Sequence, residues 1–343
     1  MTYRTFDGTS QSETVTLGRY SGSKVGVSDG STVQGALYFS DDVDTGIYSP
    51  SNGQIAFSTN GTERLKIDEN GAITFTGSLD FTDARGNTRV GTSAGDTFDG
   101  TNAQNNTLIG FEAAKLTLSG VNNTALGYQA LYTNIDGDNN TAVGYNALYS
   151  FEADTDGHGW NTAVGNDAAK GLSTGTYNTA VGAFALDASL GTGDSNTGLG
   201  YNALTDNTSG NNNTAVGREA LANNTVGERN VAIGRSALTT NVDGDDSVAI
   251  GYEALTNMEP SENAGDNTAI GSYAGQAVNT GIRNVCIGYL GGNTLTSGDN
   301  NILIGYNAQP SAVGVDTEIV IGSSVTGKGT NTVSLKGTPY NTA

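Results

Sequence analysis

The amino-acid sequence predicts an all-β repeat fold, a solenoid of parallel β-strands in which each repeat forms one turn of a β-roll. A nine-residue motif recurs fourteen times, most often at intervals of 17 residues. Within the motif, β-branched residues alternate with small ones, as in a strand with two different faces. Gly occurs at 50 of 343 positions and Pro at only 4, which is typical of short strands joined by tight turns.

The beginning of the chain differs from the repeats. Residues 1–35 are expected to form an irregular N-terminal arm that serves for attachment. Residues 36–80 are expected to form a small antiparallel β-hairpin module. Within it the run IAFSTNGTERLKI, which starts at Ile55, has two alternating segments around Asn60-Gly61, the strongest short hairpin signal.

Residues 87–326 contain the repeats and are expected to form the β-roll domain, followed by a C-terminal tail at 327–343 that begins with one more worn repeat. A 17-residue period suits two short strands and two turns. The β-branched face is expected to form the interior, and the Ala-Leu pair after the glycine is expected to begin a return strand. The expected interior residues are Val143, Val164, Val216, Ile250 and Ile287.

Stacking of such turns aligns equivalent residues along the axis. The first-position Asn is therefore expected to form a ladder with amide-to-amide hydrogen bonds, and the glycine permits close approach of neighbouring backbones. These structural repeat positions include Asn123, Asn140, Gly127, Gly144, Gly165, Gly182, Gly200, Gly217, Gly234 and Gly251.

The size of each turn predicts association of several chains. A coil this short encloses only about two or three apolar side chains, whereas ordering the backbone costs about 1–2 kcal/mol per residue. A single roll is therefore expected to be marginally stable, and lateral packing of several rolls would compensate.

Composition excludes several classes of function. Lys and Arg number 15 and Asp and Glu 35, and the net charge of −20 argues against a nucleic-acid partner. No apolar run approaches the length of a membrane span and no signal peptide is visible, so no membrane insertion is expected. With one Cys and one His, neither a disulfide nor a metal or other cofactor is expected.

The iterated Asn-Thr-Ala-Val-Gly-x-x-Ala-Leu unit resembles the head repeats of trimeric autotransporter adhesins and the related repeats of bacteriophage tail fibres. The resemblance implies a left-handed parallel β-roll with three chains around one axis. Autotransporters also carry an export signal and a membrane-anchoring barrel, which the sequence lacks, so the phage group is favoured. The segment from Asp44 to Gly77 likewise resembles a β-rich module of phage tail fibres.

The function implied by this resemblance is that of a virion structural protein, a homotrimeric tail fibre made in the host cytoplasm. Its expected partners are other tail or baseplate proteins, bound through the N-terminus, and a host surface glycan or outer-membrane receptor. Open alternatives are a fibre that decorates the head and a bacterial adhesin head. A polysaccharide depolymerase and an ice-binding solenoid fit less well, and no enzymatic activity is expected.

Two groups of residues are candidates for receptor contact. The longest insertion between repeats contains Asp154, Asp156, His158 and Trp160, and aromatic residues commonly anchor interfaces; a cap over the roll is the other interpretation. Tyrosine follows the repeat glycine in six copies and could stack on sugars or pack against a neighbouring chain. These are Tyr128, Tyr145, Tyr201, Tyr252, Tyr289 and Tyr306.

Acidic turns recur along the repeats. Asp136-Gly-Asp138 and the run from Asp243 to Asp246 place carboxylates at alternate positions, which can hold calcium. The twelve-residue loop of a dedicated calcium site is absent, so solvated turns are the favoured interpretation.

Overall fold

The computed structural model describes residues 37–39, 42–76, 82–98, 102–153, 158–259 and 264–336. The chain divides into two units, residues 1–80 and 81–343. The regular elements of the described residues are all β-strands, as predicted. The arm predicted at 1–35 and the end of the predicted tail, 337–343, lie outside the described residues.

The N-terminal unit contains the predicted small antiparallel sheet. Its strands, paired in chain order, are β1 Leu37–Phe39, β2 Asp42–Tyr48, β3 Ile55–Thr59, β4 Thr62–Ile67 and β5 Ile73–Phe75. The hairpin predicted around Asn60-Gly61 joins β3 to β4. Asn60 and Gly61 have φ angles of 50° and 64°, and a two-residue type I′ turn requires two such left-handed residues.

The second unit is a parallel β-solenoid with one strand in each turn. Fifteen strands form one sheet in chain order, which confirms the predicted repeat fold. They are β6 Thr88–Val90, β7 Thr107–Ile109, β8 Thr124–Leu126, β9 Thr141–Val143, β10 Thr162–Val164, β11 Thr179–Val181, β12 Thr197–Leu199, β13 Thr214–Val216, β14 Val231–Ile233, β15 Val248–Ile250, β16 Thr268–Ile270, β17 Val285–Ile287, β18 Ile302–Ile304, β19 Ile319–Gly322 and β20 Val333–Lys336.

The repeats stack so that each motif position pairs with itself. Thr162 pairs with Thr141 on one side and with Thr179 on the other, in parallel register. The insertion between β9 and β10 is therefore accommodated outside the strands, and it leaves the register of the sheet unchanged.

The segment after the glycine is not the return strand predicted from the Ala-Leu pair. It is a run of turns in which every second residue has a positive φ, such as Asn146 and Leu148 at 52°. Asn146 N–H donates to Tyr128 O of the preceding turn and Leu148 N–H donates to Ala168 O of the next, both at 3.0 Å. Backbone groups are thus satisfied between turns without a second sheet.

The interior is lined by small residues, and the prediction of a β-branched interior is wrong. Ala142, Ala147 and Leu148 are fully buried within one turn, whereas the fourth-position Val164 and Ile233 are 36% and 39% exposed on the outer face. The first-position Asn and the third-position Ala share the inner strand face, and the Leu opposite leaves room only for Ala. The other predicted interior residues, Val143, Val216, Ile250 and Ile287, are half-buried on the outer face.

Core volume is balanced between neighbouring turns. Leu303 occupies the third position and lies over Gly292 of the preceding turn, where a Cβ would be 2.7 Å from Leu303 Cδ1. Leu108 lies over Gly95 in the same way, and a Cβ there would be 2.8 Å from Leu108 Cδ1. Both glycines occupy the ninth position, which is Leu in seven of the fourteen repeats. In these two places a ninth-position Gly leaves room for a Leu at the third position of the next turn.

The first-position Asn residues form the predicted ladder, although most of its bonds differ from the predicted amide-to-amide type. Asn230 donates its N–H to Asn213 Oδ1 (2.9 Å) and accepts the Ser247 N–H on its own Oδ1 (3.0 Å). Its Nδ2 donates to Gly244 O within the same turn (2.7 Å). Direct amide contacts occur at some steps, such as Asn140 Nδ2 to Asn123 Oδ1 (3.1 Å).

A second Asn ladder lies three residues after the buried Leu. Asn224 Nδ2 donates to Asn207 Oδ1 (2.8 Å), and Asn241 Nδ2 donates to Asn224 Oδ1 (3.0 Å). The first ladder ends at Glu318, which is fully buried. Its two carboxylate oxygens accept the N–H groups of Ser311 and Gly329, each at 2.8 Å, so the carboxylate replaces the amide at the last step.

The repeat glycine is required by close approach of successive turns. Gly217 has a φ of 131°, and a Cβ added to it would lie 2.7 Å from the carbonyl carbon and oxygen of Gly234. Any larger residue would meet backbone, which cannot move independently of the stack. The same positive φ recurs at Gly127, Gly144, Gly165, Gly182, Gly200, Gly234 and Gly251.

Candidate binding surfaces

The outer face of the fifteen-stranded sheet carries a row of apolar side chains. They come from the fourth motif position, one in each turn, and successive strands lie about 4.8 Å apart. Monomeric soluble proteins rarely expose continuous apolar surfaces of this kind. Members of the row that are more than one-third exposed in the single chain are Val90, Ile109, Leu126, Val164, Val181, Ile233, Ile270, Ile321 and, in register with Ile321, Leu335 of β20.

The post-glycine tyrosines form short stacks rather than one continuous ladder. Tyr128 and Tyr145 are parallel at 5.1 Å between ring centroids, and Tyr289 and Tyr306 are nearly parallel at 5.7 Å. Tyr252 packs edge-on against a residue missed by sequence reasoning, Tyr273, at 5.2 Å.

Tyr201, like Tyr252, packs edge-on against another ring and lies beside an arginine. Its ring packs edge-on against Phe184 at 6.0 Å. On the other side, the Arg218 guanidinium carbon lies 5.8 Å from the Tyr201 ring centroid. Arginine therefore takes the place of tyrosine in the next turn, a substitution visible in the sequence as Gly217-Arg218.

Trp160 stacks on Tyr177 of the next turn. Their centroids are 5.2 Å apart with an interplanar angle of 10°, and the two side chains are 43% and 56% exposed. His158 is tilted against Trp160 at 6.5 Å. The other two candidate contact residues in this insertion, Asp154 and Asp156, lie outside the described residues.

The acidic turns take part in the hydrogen bonding between turns. Asp138 Oδ1 accepts the Val121 N–H and Asp245 Oδ1 accepts the Glu228 N–H, both at 2.7 Å. Arg229 bonds to both Asp245 (3.1 Å) and Asp246 (2.7 Å). The Arg229 hydrogen bond holds the pKa of Asp246 below its usual value.

Two carboxyl pairs flank these turns. Glu152 lies beside Asp136, and its burial, with Asp136 adding to the effect, raises the pKa of Glu152 to about 7. Glu259 and Asp243 repeat the arrangement, and burial again raises the pKa of Glu259, with Asp243 contributing. The sequence signal for these pairs is a Glu sixteen residues after the first Asp of each Asp-Gly-Asp turn.

A groove of about 410 Å³ opens between the turns of β11 and β12. In the two turns that follow, the backbone N–H of the residue two places after the buried Leu donates to the next turn, as Asp206 N–H does to Ala222 O (3.0 Å) and Asn223 N–H to Thr239 O (3.1 Å). Ala188 is the equivalent residue and makes no such bond. Besides Ala188, the groove is lined by two aromatic rings and five polar side chains, namely Phe184, Tyr201, Asp187, Ser189, Asn202, Thr205 and Asp206.

Within the groove, Asp187 is half-buried and Asp206 is exposed. Burial raises the pKa of Asp187 to about 6. Thr205 Oγ1 donates to Phe184 O at 2.5 Å and ties the two walls together. The arrangement offers hydrogen-bond acceptors beside an apolar wall. Sequence reasoning selected only Tyr201 among these residues, because only Tyr201 belongs to the repeat pattern.

No protein-family model matches the chain, and neither does any curated protein or solved structure. Within the described ranges, no helix is long and apolar enough to cross a membrane. In the same ranges, no group of three or more His, Cys, Asp or Glu side chains is arranged to hold a metal ion.

Proposed function

We propose that the chain is the protomer of a homotrimeric virion fibre that attaches to a host cell surface, with a tail fibre as the specific form. The observation that carries the proposal is the apolar row on the outer face of the sheet. A repeat motif that resembles those of phage tail fibres and trimeric adhesins supports the choice of function.

The apolar row fits association better than solvent exposure. A regular turn buries only three apolar side chains of its own, such as Ala125, Ala130 and Leu131. Packing the fourth-position side chains of three chains against one another would add a second core along the whole length of the sheet. Burial of apolar surface stabilises by about 25 cal/mol per Å², and repetition in every turn makes that contribution large.

In this proposal the ends and the sides of the fibre have different tasks. The N-terminal arm binds other tail or baseplate proteins, and exposed side chains of the roll meet a host glycan or outer-membrane receptor. The aromatic side chains on the surface, including Tyr128, Tyr145, Tyr252 and the Trp160 stack, are the proposed contact residues, together with His158. The role of the fibre is binding, without catalysis.

Location on the particle tests this function. Gold-labelled antibody against the purified chain should decorate fibres that project from the tail of intact virus particles. Label on the capsid surface would instead identify a head fibre, and label on bacterial envelopes alone would identify an adhesin. Absence of label from purified particles would contradict a virion protein.

A further inference from the structure

We propose that the groove between the turns of β11 and β12 binds an uncharged saccharide, with the rings of Phe184 and Tyr201 against the sugar face and Asp187 and Asp206 accepting hydrogen bonds from its hydroxyl groups. This inference rests on the proposed attachment function and names the chemical class of the receptor. The groove is distinct from the Trp160 insertion and from the apolar row of the sheet.

The groove lies at a departure from the regular stacking. The turns that follow are joined by a backbone hydrogen bond at this position, whereas Ala188 donates none. The following residues project outward; Leu190, two residues further on, has a φ of 64° and is 78% exposed. A volume of about 410 Å³ lies within the range of small-ligand sites.

The lining has the chemistry that a sugar requires. A pyranose ring has an apolar C–H face and a rim of hydroxyl donors. Phe184 and Tyr201 are held edge-on to each other at 6.0 Å, so one ring can support a sugar face while the other borders it. Carboxylates accept strong hydrogen bonds from hydroxyl groups, and Asn202 can both donate and accept.

The charge of the groove restricts the class of saccharide that it would bind. The lining itself contains two carboxyl groups and no basic residue. Two cations lie at its border: Lys170, whose attraction partly offsets the effect of burial on the pKa of Asp187, and Arg218 beside Tyr201. The chain as a whole carries a net charge of −20. Uronic acids, sialic acids and phosphorylated sugars would therefore be repelled, and neutral hexoses or N-acetylated hexosamines would be accepted.

Saturation-transfer NMR on the full chain tests the proposal with three probes: maltotetraose, chitotetraose and the anionic tetragalacturonate. At least one neutral probe should give transfer signals from its ring C–H protons, whereas tetragalacturonate should give none. Tyr201→Ala and Phe184→Ala should each weaken binding of that probe by about tenfold, as expected for loss of a stacking ring. Asp206→Asn keeps the shape of an exposed side chain and should weaken binding severalfold.

Two matched variants serve as controls. Tyr132→Ala removes a ring that stacks on Tyr149 outside the groove, and Asp96→Asn neutralises an exposed carboxylate in another turn. Both should bind the neutral probe like the parent chain. The sedimentation mass of every variant is measured alongside, so that misassembly of a variant is recognised. If Tyr201→Ala or Phe184→Ala misassembles, the binding of the Asp206→Asn variant decides the result.

Several outcomes would overturn the proposal. These are no signal from either neutral probe, equal signals in groove and control variants, or stronger binding of tetragalacturonate. Release of reducing ends would show cleavage in place of binding. Adsorption of labelled protein to cells is measured separately. Adsorption without saccharide binding would refute the saccharide site in the groove and leave the attachment function standing, whereas failure of adsorption would refute the attachment function.

Discussion

The exchange of volume between neighbouring turns predicts how the core responds to substitution. At the turn of β13, the third position is Ala215 and the ninth-position residue of the preceding turn is Leu204, both fully buried. Ala215→Leu would place a leucine where Leu303 lies, but over a leucine instead of a glycine. Leu204→Gly in the same chain recreates the arrangement found at Gly292 and Leu303.

The magnitudes follow from packing. Ala215→Leu alone overfills the coil and should destabilise by about 1–3 kcal/mol. Leu204→Gly alone empties a buried site and should cost about 2–5 kcal/mol, with no backbone strain because Leu204 already has a φ of 54°. The double variant should be more stable than the Leu204→Gly variant, because the new Leu side chain fills the cavity.

Chemical unfolding followed by circular dichroism measures these differences, with the four proteins compared at one concentration because assembly contributes to stability. The expected coupling between the two sites is about 0.5–3 kcal/mol in favour of the double variant. If the two losses simply add, the third-position side chain does not occupy the space over the ninth-position residue, and the account of the core is wrong.

Three further predictions address the stack, its acid pairs and its outer face. Gly217→Ala should destabilise the folded protein by about 1–3 kcal/mol through backbone strain alone, and the clash of the new Cβ with Gly234 adds to this loss. An unfolding midpoint equal to that of the parent would contradict the close approach of the Gly217 and Gly234 backbones. The pKa of Glu152 is raised from 4.5 to about 7, so between these pH values the folded protein holds a proton on Glu152 that the unfolded protein has lost, and the free energy of unfolding should fall as pH rises from about 4.5 to 7. In unfolding curves recorded across this range, Glu152→Gln should reduce the dependence of stability on pH. An unchanged dependence would exclude Glu152 as its source. Ile233→Lys should lower the sedimentation mass to that of a single chain, because a trimer would bury the new charges in its proposed core. Ser209→Lys, on an exposed turn, should leave the mass unchanged, and a full trimer of the Ile233→Lys variant would refute the role of the outer sheet face in assembly.

Much of the fold follows from the sequence because the repeat itself is the signal. The recurrence of Asn, Thr and Gly fixes the number of turns, the strand positions and their register, and Asn60-Gly61 identifies the hairpin of the first unit. Which face points inward does not follow from alternation alone. A strand with Val on one face and Ala on the other fits either orientation, and the choice depends on Leu148 opposite, whose left-handed conformation is not expected for that residue type.

The candidate surfaces are less visible in the sequence. The sequence presents the post-glycine tyrosines as one series, but in the structure Tyr201 and Tyr252 each contact an edge-on ring and an arginine, whereas Tyr128 and Tyr145 stack on each other. At the groove, Ala188 donates no backbone hydrogen bond to the next turn, and sequence patterns carry no direct information about a bond that fails to form. Irregular turns within a repeat array are therefore the places where sequence reasoning is weakest.

The solution mass of the purified parent chain shows whether three chains associate through the apolar row. Sedimentation equilibrium over a wide range of concentration should give a single species near 105 kDa, three times the 35.0 kDa of the chain. A stable, folded species of 35.0 kDa at all concentrations would show that one roll suffices and that the apolar row needs no second or third chain.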